Sequence, residues 1–287
     1  MIYEKKPLSP VNTLKGVAVG VANIIPGVSG GTIAVITGIY DELVDAFGHF
    51  FDSEGGWRRN TLFLAPVITG ILLGNVAFAR LIGLFLDAAP EATTFGFIGL
   101  ILGSTPYLVR RAGASRFRLH YVLTFGLGLG VVLWMGLTPR PAASPPITQI
   151  TLTSGVWVFS AAFIASIAMI IPGVSGSFLL LLIGMYSTLQ QGFSTLNIPV
   201  ILVFAVGTLT GVVVVAKAVS ALLRKCHGAT YCAIIGLVLG SAIALFPGIG
   251  SGYATALNLA AFAMGAGLSL MLGTGMKERL MRRRSRA

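Results

Sequence analysis

Polar residues interrupt this chain rarely, and the apolar runs they leave are long. Six stand out, at about 61–85, 93–110 and 119–138, then 198–222, 231–246 and 253–275. Several approach or exceed the ~18 to 20 apolar residues that cross a bilayer as helix. They fall into two groups of three, and a broken run stands before each group. The breaks are nearly the same: "ANIIPGVSGGTIAVITGIYDEL" from Ala22 and "AMIIPGVSGSFLLLLIGMYSTL" from Ala168.

An offset of 146 residues places Pro26 on Pro172, Ser29 on Ser175, Gly30 on Gly176, Gly38 on Gly184 and Tyr40 on Tyr186. Further on the offset settles at 137. It places Gly70 on Gly207, Gly74 on Gly211, Arg80 on Lys217, Gly128 on Gly265 and Gly130 on Gly267. "IGLILGS" from Ile98 falls on "IGLVLGS" from Ile235. The chain is read as a single transmembrane domain, 1–287, that arose by duplication, with repeats at 12–138 and 156–275. The Pro-rich stretch that begins at Thr138 makes 139–155 a linker outside the membrane. Residues 276–287 read as a basic cytoplasmic tail. Spaced glycines such as Gly70/Gly74 and Gly99/Gly103 let helices pack closely in lipid.

The broken runs decide the topology. About twelve apolar residues precede Pro26, and a similar length follows Gly31. At 1.5 Å per residue each arm is roughly 15 to 18 Å long, about half the hydrocarbon core. Either each run crosses as a broken helix, or it enters and returns as a hairpin. Basic residues arbitrate, because they concentrate on the cytoplasmic side. With hairpins and a cytoplasmic N-terminus, seventeen Lys and Arg fall inside and only Arg140 falls in an outer loop. With crossing runs, Arg58, Arg59 and the arginines of "RRAGASRFR" fall outside. The expected fold is therefore an all-α integral membrane protein of two inverted-topology repeats. Each repeat is a re-entrant helical hairpin plus three transmembrane helices, giving six full spans and two cytoplasmic termini.

Composition agrees with a membrane class. Hydrophobic residues make up 55% of the 287 and charged ones 10%, with a mean hydropathy of +0.88, too apolar for a water-facing exterior. The net charge of +11 is explained by cytoplasmic loops, so nucleic acid is not an expected partner. The basic N-terminus lacks a small-residue cleavage site and is expected to be retained. Cys226 and Cys232 flank a basic loop without metal-ligand spacing, and no metal or cofactor is expected. His49, His120 and His227 lie in or beside loops and read as solvated.

The break itself carries chemistry. Pro26 removes an N–H and disfavours helix at the preceding residue, while Gly27, Gly30 and Gly31 permit a tight reversal. Pro172 and Gly173 repeat the turn. A helix restarting near Ser29 points free N–H groups into the membrane, with the Ser29 and Thr32 hydroxyls beside them. That is an anion site. Ser175, Gly176 and Ser177 supply the second copy. A turn alone needs Gly and Pro, but not paired serines. Arg80 and Lys217 are repeat mates in otherwise uncharged spans, and either snorkel to headgroups or grip a phosphate from each side. Asp41, Glu42 and Asp45 follow the first hairpin, where the second has Ser187 and Thr188. They are either candidates for cation coupling or a solvated cytoplasmic end. Tyr40 and Tyr186 read as interfacial anchors.

These paired motifs resemble the signatures of the bacterial polyprenyl-phosphate (undecaprenyl-phosphate) translocase family, and the resemblance covers nearly the whole chain. It implies a non-enzymatic flippase of the bacterial inner membrane that returns undecaprenyl phosphate from the outer to the inner leaflet, recycling the lipid carrier of cell-wall synthesis. It also implies that Asn23, Pro26, Gly27, Ser29, Gly30, Gly31 and Thr32, with Pro172, Gly173, Ser175 and Gly176, are signature positions; Ser177 departs from Gly31 of the first copy. A phosphomonoester carries about −1.5 to −2 charges at neutral pH. Each costs about 2.3 kcal/mol per 100 mV to move inward. No nucleotide-binding P-loop is present in the sequence, so a proton or sodium ion is the expected coupling partner. The alternatives are a secondary transporter of a small anion and a membrane polyprenyl-diphosphate phosphatase. The partners expected are the lipid, the bilayer and the coupling cation, with a homodimer left open.

Overall fold

The computed structural model describes residues 9–24, 29–51, 56–113, 118–139, 144–248 and 253–284. Pro26, Gly27 and most of the terminal basic residues lie outside the described residues or their described side chains. The elements are all helices: α1 Pro10–Ile24, α2 Gly30–Ile36, α3 Tyr40–Gly48, α4 Gly56–Ala88, α5 Pro90–Ala112 and α6 Leu119–Leu137, then α7 Leu152–Ile170, α8 Gly176–Leu182, α9 Tyr186–Ser194, α10 Ile198–Lys225, α11 His227–Ala244 and α12 Tyr253–Arg284. The order is the same twice: one helix, two short ones, three long ones.

Local chemistry sets the boundaries alike in both halves. Gly38 at φ 69° and Gly184 at φ 71° end the two short helices after the break. Their N–H groups donate to Val35 and Leu181 carbonyls at 3.0 and 3.1 Å. The next N–H groups, of Ile39 and Met185, donate to Ala34 and Leu180 at 2.9 and 2.8 Å. This left-handed glycine stop satisfies the final carbonyls of a helix.

Two lengths differ from the sequence expectation. The helix before the second break is α7, whose 19 residues exceed the half-span arm expected. It begins early because Thr151 and Ser154 form a reciprocal capping box at its start. At 1.5 Å per residue α7 is roughly 28 Å long, enough to cross. Seven described helices are therefore long and apolar enough to span a membrane, against the six expected. The returning arms are shorter than expected: α2 and α8 have seven residues each before the glycine stop.

Glycine contacts fix the packing. A Cβ on Gly70 would lie 2.1 Å from the Thr13 carbonyl oxygen, and one on Gly74 2.4 Å from that of Val17. Gly16 and Gly20 meet Val67 and Ile71 in the same way. Contacts advance together along both helices, so α1 and α4 run parallel. Gly207 against Phe159 and Gly211 against Phe163 make α7 and α10 parallel too. The chain between each pair must then return to the end where the first helix began. Gly99 on Phe262 and Gly103 on Ala266 align α5 with α12, and Gly128 on Ala233 with Gly240 on Leu129 aligns α6 with α11. Each half thus lends its last helix to the other half.

Many large apolar side chains face outward, among them Leu72, Leu73 and Val76 on α4, Leu127 and Trp134 on α6, and Leu202 and Leu209 on α10. Bands of this extent require hydrocarbon as solvent.

Gly99→Ala places its methyl 2.1 Å from the Phe262 carbonyl oxygen, whereas a Cβ on Gly130 meets nothing within 4 Å. Thermal unfolding in detergent should show Gly99→Ala destabilised by about 1 to 3 kcal/mol. Gly130→Ala should be neutral or slightly stabilised, since alanine favours helix.

Candidate functional site

The two breaks meet. The Gly173 N–H donates to Thr32 Oγ1 at 3.0 Å, and Ser29 Oγ lies 3.5 Å from the Ala168 carbonyl oxygen. A Cβ on Gly31 would come within 3.3 Å of Pro172. Gly173 has φ 84°, and a Cβ there would lie 2.6 Å from the Leu237 backbone, so glycine is required for both conformation and space. Thr32 is only 1% exposed. It joins the tips rather than lining open space.

Beside the junction lies a cavity of about 360 Å³. Asn23, Ser29, Gly30 and Gly31 line it from the first half, and Ser175, Gly176 and Ser177 from the second. The sequence-predicted residues are therefore brought together, apart from Thr32, Arg80 and Lys217. Ser29, Gly30 and Gly31 are buried, while Ser177 and Asn23 are exposed at the rim. Ser175 Oγ and Ser177 Oγ are 3.0 Å apart. Neither Ser29 nor Ser175 caps its helix through its side chain; the Ser29 hydroxyl is directed to the Ala168 carbonyl and the Ser175 hydroxyl to Ser177, and both residues line the cavity. Gly30 is needed here, since a Cβ would fall 2.2 Å from Asn23 Oδ1. The helices that start at the breaks are only two turns long, so their donors matter more than any macrodipole.

Thr208 is a lining residue that sequence reasoning missed. Its hydroxyl is buried without a hydrogen-bond partner. Its repeat mate is Ile71, also in the lining, so the two sides are unequal. The signal was a polar residue beside Gly207 in an apolar span. Phe47, Phe204 and Leu180 give the cavity an apolar flank, and none of the described residues in its lining is charged.

Arg80 and Lys217 are both exposed and away from this lining. Lys217 packs its backbone under Gly48 of α3. Tyr40 is not an interfacial anchor: it is 2% exposed, with its hydroxyl unpartnered. Tyr186 is at the cavity rim instead.

The acidic residues after the first hairpin are not a solvated end. Asp41 pairs with Arg111 and accepts from Tyr231 Oη at 2.6 Å. Arg111 Nε lies 3.4 Å from the same hydroxyl, and His227 Nε2 donates to the Arg111 carbonyl at 2.9 Å. Nearby, His49 Nε2 accepts from Arg224, which leaves the His49 Nδ1–H for Asp45 at 3.1 Å. His49 and His227 are therefore structural links rather than free loop residues. Glu42 is half-buried on the same helix. These contacts tie α3 to α5, α10 and α11 at the molecule's basic end.

The architecture and cavity define a multi-pass membrane protein that holds a neutral, hydrogen-bonding chamber between two duplicated breaks. The chain belongs to the VCA0040-like family, described as undecaprenyl phosphate translocase-like, whose profile matches residues 19–261. It is 35% identical over 247 residues to a polyprenyl-phosphate transporter of Vibrio cholerae, covering 82% of this chain and 76% of that one. It is 33% identical over 273 residues to a polyprenyl-phosphate transporter of Staphylococcus aureus, covering 92% and 95%. No solved structure matches significantly.

Tyr231→Phe removes a hydrogen bond to a charged carboxylate. It should lower stability by about 1.5 to 3 kcal/mol. Asp41→Asn should cost at least as much, because it leaves the Arg111 charge partly buried and unpaired. Unfolding of each variant in detergent checks the order.

Proposed function

We propose that this protein carries the phosphate headgroup of polyprenyl phosphate, undecaprenyl phosphate foremost, from the outer to the inner leaflet. The tail stays in lipid while the headgroup passes through the chamber between the breaks. The observation that carries this reading is the convergence of Ser29, Gly30, Gly31, Ser175, Gly176 and Ser177 on one cavity with an apolar flank. Hydroxyls and free N–H groups suit a phosphate, and Phe47, Phe204 and Leu180 suit the first isoprene units. A small hydrated anion has no use for that flank. Among the described residues the lining holds no His, Asp, Glu or Cys to act as base or nucleophile, which favours transport over hydrolysis. Both relatives named above carry the name of such a transporter.

Helix directions support an inverted, alternating-access topology. If α11 and α12 cross in succession they run oppositely. With α5 parallel to α12, α5 is then antiparallel to its own repeat mate α11. That is the relation between inverted repeats. Parallel α1 and α4 support a first hairpin that enters and leaves on one side. The same holds for α7 and α10 whether or not α7 reaches across. The positive-inside bias then puts both termini in the cytoplasm.

A neutral chamber supports coupling. An unneutralised phosphate would be costly to bury, so a proton or metal cation travels with it and offsets the inside-negative potential. Asp41 is the candidate coupling group on the protein, since opening the basic end must break its pair with Arg111. Arg80 and Lys217 act at headgroup entry and exit rather than within the chamber.

Replacing Ser29 and Ser175 together by alanine should weaken headgroup binding by roughly 1 to 3 kcal/mol. Lipid binding and leaflet-specific uptake in reconstituted vesicles measure it, and parental transport by the double variant would place the cradle elsewhere. Purified protein should release no phosphate from polyprenyl phosphate or diphosphate. Turnover that vanishes in Ser29→Ala would instead make it an enzyme.

A further inference from the structure

A second cavity, of about 510 Å³, lies away from the breaks, between α5 and α6 with α11 as its floor. Its walls are apolar, with Val109, Phe125 and Leu239 among them, and Arg118 is the one charged residue among the described residues of its lining. Arg118 is exposed at the mouth, where α6 begins. Thr105 lines the deep end, two helical turns or roughly 10 Å below Ala112. Its hydroxyl is buried without a partner. Cys232 lies between.

The repeat supplies an internal comparison. At the mate positions, Thr255 replaces Arg118, Ala242 replaces Thr105, and Phe95 and Phe246 replace Cys232 and Val109. Phe95 and Phe246 pack edge to face there, with ring centroids 5.7 Å apart. Asn258, the mate of Tyr121, donates to Glu91 at 3.1 Å, so that end carries a carboxylate where this one carries a guanidinium. One copy of the site is filled and acidic, and the other is open and basic.

We propose that the groove seats an anionic phospholipid of the surrounding bilayer, with its phosphate on Arg118 and one acyl chain running inward past Cys232. The charge of the mouth selects the headgroup, as basic pockets between spans do at the cytoplasmic face. The apolar walls match an acyl chain. The site is separate from the serine chamber. It rests on the membrane-spanning class of the protein and not on which substrate is carried.

Cys232 reports occupancy directly. In the full chain with Cys226→Ser, Cys232 is the sole cysteine; a Cys232→Ser chain leaves exposed Cys226 as a control for surface potential. Both are reconstituted in phosphatidylcholine vesicles with or without phosphatidylglycerol, and alkylation by a neutral maleimide is timed. Phosphatidylglycerol should slow Cys232 beyond any slowing at Cys226, by about fivefold, the occupancy change for one basic residue against an anionic headgroup. Adding Arg118→Gln should abolish the difference while leaving the protein folded, since Arg118 is exposed. Equal rates in both lipids overturn the proposal, as does equal slowing at Cys226. Protection that survives Arg118→Gln means ordinary acyl chains fill the groove. Protection by polyprenyl phosphate with phosphatidylglycerol inert makes it a substrate site. Either result also overturns it.

Discussion

Backbone that leaves the helix inside hydrocarbon has no water to bond to, so each break in this chain must find its partners within the protein. The two breaks solve this against each other. The Gly173 N–H reaches Thr32 Oγ1 of the opposite half at 3.0 Å, and Ser29 lies against the Ala168 carbonyl. Around the joined tips, Ser29 and Ser175 make no side-chain cap and line one cavity. The long helices hold this junction from outside. Glycine faces seat α1 on α4 and α7 on α10, and the exchange of α6 and α12 between halves locks the two units around it.

The helix order is the same in both halves, and the residues at matching positions differ. Ser29, Gly30 and Gly31 of the first half are buried, whereas Ser177 of the second is exposed. Thr208 faces the cavity where its mate is Ile71. Asp41 is held by Arg111 and Tyr231 where its counterpart is Ser187. The ion pairs of Asp41 and Asp45 with Arg111 and His49 are therefore gathered around α3. In the transport reading, the end that holds α3 is latched while the chamber between the tips stays neutral, and the cation that balances the headgroup arrives with the substrate.

Much of this was legible in the sequence because its causes are local. Pro172 and Gly173 act through their own backbone preferences, and the repeat offset pairs Gly38 with Gly184 without a structure, although the helix stops there were not read from the sequence. Gly70, Gly74, Gly99 and Gly103 do meet facing backbone as their spacing suggested. What failed depends on distant partners. The length of α7 was set by a cap in the linker, at Thr151. Asp41 reads as a solvated acid until Arg111 and Tyr231, 70 and 190 residues away, are brought to it. Tyr40 reads as an anchor because an aromatic with a polar tip looks alike at an interface and in a core. Arg80 and Lys217 are true repeat mates, but the face of α4 or α10 that each occupies points away from the chamber.

The central claim is that polyprenyl phosphate occupies the cavity shared by both tips. Ser177 is exposed at its rim and lines it, so a cysteine placed there reads occupancy without disturbing the tip junction. In a chain with both native cysteines replaced by serine, alkylation of Ser177→Cys is timed with and without polyprenyl phosphate in the vesicle. Protection that rises with the lipid phosphate, and not with the corresponding free prenol, is the predicted result. Unchanged alkylation in a variant that still transports the lipid would contradict the account.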